Sequence, residues 1–393
     1  MTMLAELPEP DSVARAHSEK LRVHIRECVE SAGGWISFAD YMDLALYAPG
    51  LGYYSAGAAK FGEAGDFVTA PEISPLFSQC VAGQCARVLE ELGGGDILEL
   101  GAGSGAMAAD MLLELERLGR LPGRYLVLET SADLRARQEA FIRERAGPLS
   151  QYVEWLDTGP GEPIRGVLVA NEVADAIPVN CFLLDGADTC EIGVVWINGE
   201  PRLEARPAGS ELVKALEPVR ALPGLDAVAG YQSEISLRLP AWLHSVSGWL
   251  ETGMALLFDY GFSRPEYYLA ERSSGTLRCY YRHRAHDDPL FWPGLQDITA
   301  WVDFSLLAES ARDADMDVLG YTTQAQFLLA AGLDEIVGRK VVQDEKLQAE
   351  MAHGMRQLIM PGEMGESIKV LALGKGKVTV PEGMTGRDMR TSL

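Results

Sequence analysis

The chain has 393 residues, of which 47% are hydrophobic, and its formal net charge is −23 at pH 7. This length and apolar content suffice for one large α/β body with additions. The negative charge disfavours sequence-independent binding to phosphate backbones and to anionic lipid. We therefore expect neither a nucleic-acid partner nor a membrane partner, and a basic protein or a neutral small molecule fits better.

The cysteines and the first residues of the chain bear on its compartment. Six cysteines are scattered without CxxC spacing, which is typical of buried thiols in a reducing compartment. Glu6, Glu9 and Asp11 stand where a signal peptide would be basic and then apolar. No apolar run reaches the roughly 18 residues of a spanning helix. These features predict a soluble protein of a bacterial cytoplasm, with no disulfide framework and no zinc site.

The N-terminal part combines a helical pattern with a glycine-rich stretch. Apolar residues near helical spacing predict an amphipathic helix over residues 12–31. Residues 41–75 are rich in glycine, proline and aromatic residues, which predicts a mostly ordered loop rather than a disordered one. We interpret residues 1–90 as an N-terminal helix and a cap over a functional site.

Short apolar runs and helical patterns then alternate from ILEL (97–100) to VLVAN (167–171). Strands that alternate with helices predict βαβ units and a parallel sheet. Residues 181–239, with the turn signal Asn198-Gly199, predict an antiparallel insertion. The predicted class is α/β, Rossmann-like and mostly parallel, with helices on both faces. The expected divisions are the first part of this domain (91–180), an inserted β-rich region (181–250), the remainder of the domain (251–377) and a disordered tail (378–393).

A glycine-rich turn lies in DILELGAGSGAMAADML, residues 96–112. Gly101, Gly103 and Ala106 match G-x-G-x-x-G/A between a predicted strand and a predicted helix. Glu129 ends the next predicted strand, where an acid would bind ribose hydroxyls. On spacing alone, a nicotinamide dehydrogenase remains possible, and so does a tight turn with only a structural role.

Glu99 distinguishes between the possible cofactors of this turn. Its carboxylate would crowd an anionic pyrophosphate at the helix N-terminus. S-adenosylmethionine has no phosphate, and its ammonium and sulfonium groups favour nearby negative charge. The turn therefore fits a methyltransferase better than a dehydrogenase, although a solvated glutamate at a strand end remains an alternative.

A second group of polar residues follows the fourth predicted strand of this region, in NEVADAIP (171–178). The carboxyl ends of parallel strands face the ligand crevice, so this segment should lie beside the glycine turn. If residues 172–175 form a helical turn, Glu172 and Asp175 share one face, with the amide of Asn171 next to them. Paired carboxylates suit a guanidinium. The alternative is a helix cap followed by two solvated acids.

Five motifs occur in order along the chain: GDFVTAPEIS (65–74), ELGAGSG (99–105), NEVADAIPV (171–179), LLFDYG (256–261) and HDDPLFWPGLQDITAWVDFS (286–305). With these motifs in this order, the chain resembles the MidA-like family, which includes the mitochondrial complex I assembly factor 7. The resemblance extends from about residue 36 to about residue 374. It implies a class I S-adenosylmethionine-dependent methyltransferase of a bacterial type, whose mitochondrial relative methylates an arginine of a complex I subunit.

The resemblance also implies roles for individual residues. Glu99, Gly101 and Gly103 would hold the methionyl part of the cofactor, and Glu129 would hold its ribose. Glu172 and Asp175 would face the methyl acceptor. Many relatives have proline and arginine where this chain has Ala102 and Ser104, and NEF-x-D, with an aromatic residue in place of Val173, where this chain has NEVAD, so the acceptor can differ. The full implied cofactor set is Gly65, Asp66, Thr69, Glu99, Gly101, Ala102, Gly103, Glu129 and Asn171, of which Gly65, Asp66 and Thr69 would close over the site.

The segment 282–288 contains His283, His286 and two aspartates, but its arginines would repel a cation. We expect no metal site there, and either a loop beside the acceptor pocket or a structural histidine network. Three functions remain open at this stage. They are a methyltransferase for a protein arginine, a small-molecule methyltransferase with residues 181–239 as a lid, and a non-catalytic S-adenosylmethionine-binding assembly factor. A homodimer is possible in each case.

Overall fold

The computed structural model describes residues 7–56, 68–339 and 345–393. Its strands are β1 (Ile36–Ser37), β2 (Asp96–Leu100), β3 (Tyr125–Leu128), β4 (Val153–Leu156), β5 (Ile164–Asn171), β6 (Asn180–Asp185), β7 (Asp188–Ile197), β8 (Glu200–Pro207), β9 (Tyr231–Ile235), β10 (Leu250–Phe262), β11 (Arg278–Tyr281), β12 (Arg284–His286), β13 (Asp297–Thr299), β14 (Val302–Asp303), β15 (Asp317–Thr323) and β16 (Ile368–Lys375).

The helices of the described residues are α1 (Ser12–Ser31), α2 (Phe38–Tyr47), α3 (Ala70–Ile73), α4 (Pro75–Leu92), α5 (Ala106–Arg117), α6 (Ala132–Ala146), α7 (Ser210–Ala215), α8 (Glu217–Arg220), α9 (Leu239–Trp249), α10 (Arg264–Tyr267), α11 (Phe304–Asp313), α12 (Gln324–Ala330), α13 (Leu333–Arg339), α14 (Glu345–Ile359) and α15 (Met364–Ser367). Short 3₁₀ turns cover Gly147–Tyr152, Ala174–Ala176, Leu225–Ala227, Glu382–Met384 and Arg390–Ser392.

The chain divides into two compact units, each built from separate stretches of sequence. The first unit comprises residues 1–67, 175–241 and 262–303. The second unit comprises residues 68–174, 242–261 and 304–393. The sequence predicts domains that are continuous in the chain, and the two units are not continuous. Each unit is assembled from three stretches of sequence, and the stretches between them fold with the other unit.

The second unit contains the expected α/β domain. Its sheet has the strand order β15-β16-β10-β5-β2-β3-β4, in which β10, β5, β2, β3 and β4 are parallel and β16 runs antiparallel to both of its neighbours, β10 and β15. Val167, Leu168 and Val169 of β5 are fully buried, as expected for a strand covered on both faces. Helices α4 and α5 contribute Phe77 and Met111 to this core. The Rossmann-like class with a mostly parallel sheet is confirmed.

The first unit contains the antiparallel region. Its larger sheet has the order β1-β7-β6-β9, with β8 paired to β7, and its smaller sheet has the order β12-β11-β13. Asn198 and Gly199 have φ values of 55° and 84°, which is the conformation of a two-residue hairpin turn between β7 and β8. The predicted insertion is therefore antiparallel, and it is joined by β1 from the N-terminal part of the chain.

The predicted helix over residues 12–31 is confirmed as α1, which begins after the cap Asp11. The stretch 41–75 was interpreted as mostly loop, and among its described residues that interpretation is wrong at both ends, because α2 covers residues 38–47 and α3 covers residues 70–73. Residues 57–67 of the stretch lie outside the described residues. Helix α2 contains no glycine or proline, and it forms because Phe38, Tyr41 and Met42 pack into the core of the first unit.

The segment 378–393 was expected to be a disordered tail, and the structure differs. Gly383 donates its N–H to Gln84 Oε1 at 3.2 Å, and Met389 donates its N–H to the carbonyl oxygen of Tyr321 at 2.8 Å. The side chain of Met384 is buried. The segment has few apolar residues, but these contacts hold it against the second unit.

Three further findings concern the residues that the structure describes. No helix among them has the length and apolar character needed to cross a bilayer. No group of three or more potential ligand side chains among them could hold a metal ion. All six cysteines lie in described segments and none forms a disulfide, and Cys80, Cys85 and Cys279 are buried.

Candidate active site

The glycine turn joins β2 to α5 in the second unit. Gly101, Gly103 and Gly105 all have positive φ, at 64°, 54° and 87°, a conformation that side chains with a Cβ disfavour. A Cβ atom on Gly101 would lie 3.3 Å from Cγ2 of Val173. The carbonyl oxygen of Ala102 accepts the N–H of Gly105 at 2.7 Å and tightens the turn. The turn thus lies against the segment that follows β5, as the strand topology predicted.

Glu99, expected to face the ligand, is only 1% exposed. Tyr125 donates its hydroxyl to Glu99 Oε2 at 2.6 Å. Burial raises the pKa of Glu99 to about 7, against a smaller lowering by the Tyr125 hydrogen bond. Its carboxyl group is thus bonded to Tyr125 of the neighbouring strand β3.

Glu129 is tied to the glycine turn through a residue that the sequence did not single out. Gln138 of α6 donates Nε2 to Glu129 Oε2 at 3.1 Å and to the carbonyl oxygen of Gly103 at 3.0 Å. Gln138 Oε1 accepts the indole N–H of Trp155 at 3.0 Å. Glu129 Oε1 accepts the N–H of Ser131. Nothing in the sequence pattern of α6 marks Gln138, because its function depends on three segments that meet only in the fold.

Asn171 and Glu172 follow β5 at the carboxyl edge of the sheet. Asn171 is 8% exposed and donates Nδ2 to Glu172 Oε1 at 3.1 Å. Glu172 is partly buried, has a φ of 52° and donates its own N–H to the carbonyl oxygen of Phe258 at 2.8 Å. A non-glycine residue in this left-handed region costs about 1–2 kcal/mol. Such a strained carboxylate at a ligand-facing edge is typical of functional sites.

Asp259 of β10 fixes the conformation of this segment. Its Oδ2 accepts the N–H groups of Val173 and Ala174 at 3.1 and 2.8 Å, and its Oδ1 accepts the N–H of Tyr260 at 2.9 Å. Burial raises the pKa of Glu172 to about 8, with a further raise from the charge of Asp259. Asp259 was not predicted as a site residue, although a polar residue near the carboxyl end of an apolar strand was an available signal.

Residues 172–175 do not form the single helical turn that would put Glu172 and Asp175 on one face. The left-handed backbone of Glu172 precedes a 3₁₀ turn that begins only at Ala174, because Asp259 binds the intervening N–H groups. Asp175 is buried and belongs to the first unit. There its carbonyl oxygen accepts the N–H of Ala300, and its charge raises the pKa of Tyr280, after the larger effect of burial.

Thr69 precedes α3 and lies near the second polar group. Its N–H is donated to Glu72 Oε2 at 3.3 Å. The following residue, Ala70, donates its N–H to Glu172 Oε1 at 3.4 Å. The contact with the carboxylate of Glu172 is thus made by the residue that follows Thr69. Gly65 and Asp66, predicted to close over the same site, lie outside the described residues.

The histidine segment belongs to the first unit. Arg282 and His283 form the turn of the β11–β12 hairpin, with φ values of 48° and 59°. His283 is exposed, whereas His286 is buried beside the ring of Phe291. Burial lowers the pKa of His286. The two histidines have opposite environments, so they do not act as one cluster.

The residues at the carboxyl edge of the second unit fit S-adenosylmethionine. The turn at Gly101 presents backbone without a side chain, and the carboxylate of Glu129 is an acceptor of the kind that ribose hydroxyls would need. Asn171 Oδ1 is buried and accepts no hydrogen bond from the described residues. A ligand that brings N–H or O–H donors would satisfy this oxygen, and S-adenosylmethionine has both an ammonium and hydroxyl groups.

Comparison with known proteins agrees with this geometry. Residues 80–322 match a family model described as an S-adenosyl-L-methionine-dependent methyltransferase. A crystal structure from Burkholderia thailandensis, bound to S-adenosyl-homocysteine, is 42% identical with a TM-score of 0.93 and covers 98% of this chain and 100% of its own. A native crystal structure from the same organism is 41% identical with a TM-score of 0.90, at 98% and 100% coverage.

Curated relatives are more distant but similar over most of their length. The protein arginine methyltransferase NDUFAF7 of Rattus norvegicus is 29% identical over 399 residues, which cover 91% of this chain and 85% of the relative. The Caenorhabditis elegans homologue is 28% identical over 369 residues, with 86% and 83% coverage. The fold, the glycine turn and these matches lead to one conclusion: the chain belongs to the MidA-like family of methyltransferases that use S-adenosyl-L-methionine.

Proposed function

We propose that this methyltransferase modifies an arginine side chain of a protein partner. The observation that carries the proposal is Glu172, held in a left-handed conformation beside the glycine turn with its carboxyl group partly buried. A carboxylate there suits a guanidinium, which stays charged at ordinary pH and offers forked donors. The relatives named as protein arginine methyltransferases support the same acceptor.

S-adenosylmethionine supplies an electrophilic methyl group. Ionised Glu172 binds the guanidinium and orients one nitrogen toward that methyl group. Glu172 accepts the proton that this nitrogen loses as its bond to the methyl carbon forms and the sulfur–methyl bond of S-adenosylmethionine breaks, with S-adenosylhomocysteine as the leaving group. A carboxyl group whose pKa is about 8 suits this role better than an ordinary one, because its proton affinity is matched to the operating pH.

For cofactor binding we propose that the turn Gly101–Gly103 holds the methionyl part and that Glu129 binds the ribose hydroxyls. Asn171 and Thr69 complete the described part of this site, with Gly65 and Asp66 added from the motif resemblance. By the motif resemblance, we also propose that Asp175 faces the methyl acceptor. The proposed acceptor protein, by the same resemblance, is a respiratory complex I subunit or an analogous protein.

The test uses purified protein, S-adenosylmethionine with a labelled methyl group, and a lysate of cells that lack the protein. Methylarginine should appear in a protein band, identified by mass spectrometry. Glu172→Gln should lower the initial rate about 100-fold and leave the affinity for S-adenosylhomocysteine nearly unchanged. Glu144→Gln, at an exposed position on α6, is the matched control and should label like the wild type.

Several results would contradict the proposal. Equal labelling by Glu172→Gln removes the proposed role of that residue. Label that appears only in small molecules, or on protein residues other than arginine, removes the proposed acceptor. Asp175→Asn tests the other carboxylate separately, and full labelling by that variant would exclude Asp175 from acceptor binding.

A further inference from the structure

Strand β8 is an exposed edge of the antiparallel sheet in the first unit. Among the described residues, β8 pairs with one strand, β7, through the register Cys190↔Pro207 to Ile197↔Glu200. Arg202, Leu203, Ala205 and Arg206 are exposed, and Leu203 retains 47% of its accessible surface. Exposed edge strands present backbone groups that can pair with another chain.

The backbone groups that face away from β7 can be identified from the hairpin. Its two-residue turn makes Ile197 and Glu200 a hydrogen-bonded pair, and Ala208 donates its N–H to the carbonyl oxygen of Thr189 at 3.0 Å. Even-numbered residues of β8 therefore bond to β7, and odd-numbered residues point outward. Prolines occupy two of these outward positions, so the outward N–H donors of β8 belong to Leu203 and Ala205.

The sequence of β8, EPRLEARP, is complementary to itself in antiparallel orientation. If two copies pair about a twofold axis at Leu203, Arg202 lies opposite Glu204 and Glu200 lies opposite Arg206 of the other copy. Each pair occurs twice, and Leu203 meets its own equivalent. This register also uses both outward donors of each strand, since Leu203 bonds to Leu203 and Ala205 bonds to the carbonyl oxygen of Pro201.

We propose that β8 pairs with β8 of a second copy, in this register, to form a homodimer. Pairing about a twofold axis uses the same surface on both copies and therefore closes at two chains. Pro201 and Pro207 cannot donate, which limits the ladder to its centre and disfavours pairing with other strands. Within one chain, Glu200 forms an ion pair with Arg22, and Glu204 forms one with Arg206. These ion pairs are exposed, so the two glutamates can also bind arginines of the second copy.

The charge pattern allows a test that separates loss of pairing from loss of folding. Arg202→Glu places two glutamates opposite each other, and Glu204→Arg places two arginines opposite each other. Each single variant should raise the dimer dissociation constant about tenfold, because like charges on facing strands destabilise pairing. In an equimolar mixture of the two variants, the glutamates of one copy face the arginines of the other, which restores opposite charges at all these positions.

Sedimentation velocity of the full chain, over a range of concentrations, measures the association. The wild type should form a concentration-dependent dimer, each single variant should dissociate more readily, and the mixture should recover dimer as a heterodimer. Arg387→Glu changes the net charge by as much as Arg202→Glu does, at an exposed position of the second unit, and should not alter the association. Three results would overturn the proposal: a wild type that is monomeric throughout, single variants that dimerise like the wild type, or a mixture that fails to associate.

Discussion

The glycine turn and the segment 171–174 lie at the same edge of one sheet, but their conformations have different causes. The turn takes its conformation from its own residues, since Gly101, Gly103 and Gly105 adopt φ values that glycine favours. In segment 171–174 the backbone of Glu172 is left-handed because Asp259, more than 80 positions later in the chain, binds the N–H groups of Val173 and Ala174. The first feature is local and the second depends on the fold.

Glu99, on the strand before the glycine turn, and Glu172 also differ in their surroundings. Glu99 is fully enclosed and bonded to Tyr125, with a pKa raised to about 7 by burial. Glu172 is partly buried, and the charge of Asp259 adds to the effect of burial on its pKa. We therefore propose that Glu99 supports the binding site and that Glu172 acts on a ligand. Four substitutions test this distinction, in order of their expected effect on cofactor binding and methyl transfer.

Gly101→Val should have the largest effect. The new side chain must adopt a left-handed backbone, and its Cβ would lie 3.3 Å from Cγ2 of Val173. We expect a loss of about 3 kcal/mol in the binding of S-adenosylhomocysteine, which is about 100-fold in affinity, measured by calorimetry. Gly119→Val is the matched control, because Gly119 has a φ of 66° with nothing within 4 Å of its Cβ position. If both variants lose the same affinity, backbone strain alone explains the loss, and the position of Gly101 at the cofactor is not supported.

Asp259→Asn should weaken methyl transfer about tenfold, because an amide replaces the carboxylate that accepts the N–H groups of Val173 and Ala174. It should also change the pH dependence. In the wild type, kcat/KM should rise as Glu172 ionises, with a midpoint near pH 8. Removing the negative charge of Asp259 lowers the pKa of Glu172, so the midpoint should move to lower pH. A midpoint that stays in place, or moves upward, would contradict the coupling.

Much of the turn could be predicted from sequence, because G-x-G spacing between a strand and a helix encodes backbone geometry within a few residues. The parallel strands were also predictable from their continuous apolar runs, such as that of β5. The conformation of residues 172–175 was not, since a helical pattern gives no sign of the carboxylate on β10 that overrides it. The position of Asp175 in the other unit likewise depends on where the chain crosses between units, which periodicity does not encode.

Gln138→Ala tests the support of the turn from α6. The substitution leaves the carbonyl oxygen of Gly103 and the indole N–H of Trp155 without the hydrogen bonds that Gln138 provides. A buried group that loses its partner costs about 1–3 kcal/mol, so we expect a lower melting temperature and about tenfold weaker binding of S-adenosylhomocysteine. Gln138→Glu is a useful comparison, because it adds a second carboxylate beside Glu129 and should weaken binding further. Unchanged affinity in both variants would show that the turn does not need this support.

Glu99→Gln should have the smallest effect on the ligand, with an affinity for S-adenosylhomocysteine within about threefold of the wild type. Its effect on stability should depend on pH. The folded-state pKa of Glu99 is about 7 against an ordinary value of 4.5, so the native state binds the proton more tightly. Wild-type stability should therefore fall as pH rises from about 4.5 to 7, by about 3 kcal/mol, and glutamine lacks this dependence.

Urea unfolding of both proteins at pH 5 and pH 8 measures the difference. Near pH 5, where Glu99 is protonated in the folded state, the wild type and the variant should have similar free energies of unfolding. At pH 8 the variant should have the higher free energy of unfolding. Asp133→Asn, at an exposed position on α6, should show neither effect. A large loss of affinity in Glu99→Gln would instead mean that this carboxylate contacts the cofactor itself. Glu99 and Glu172 would then differ because Glu99 binds the cofactor and Glu172 binds the methyl acceptor.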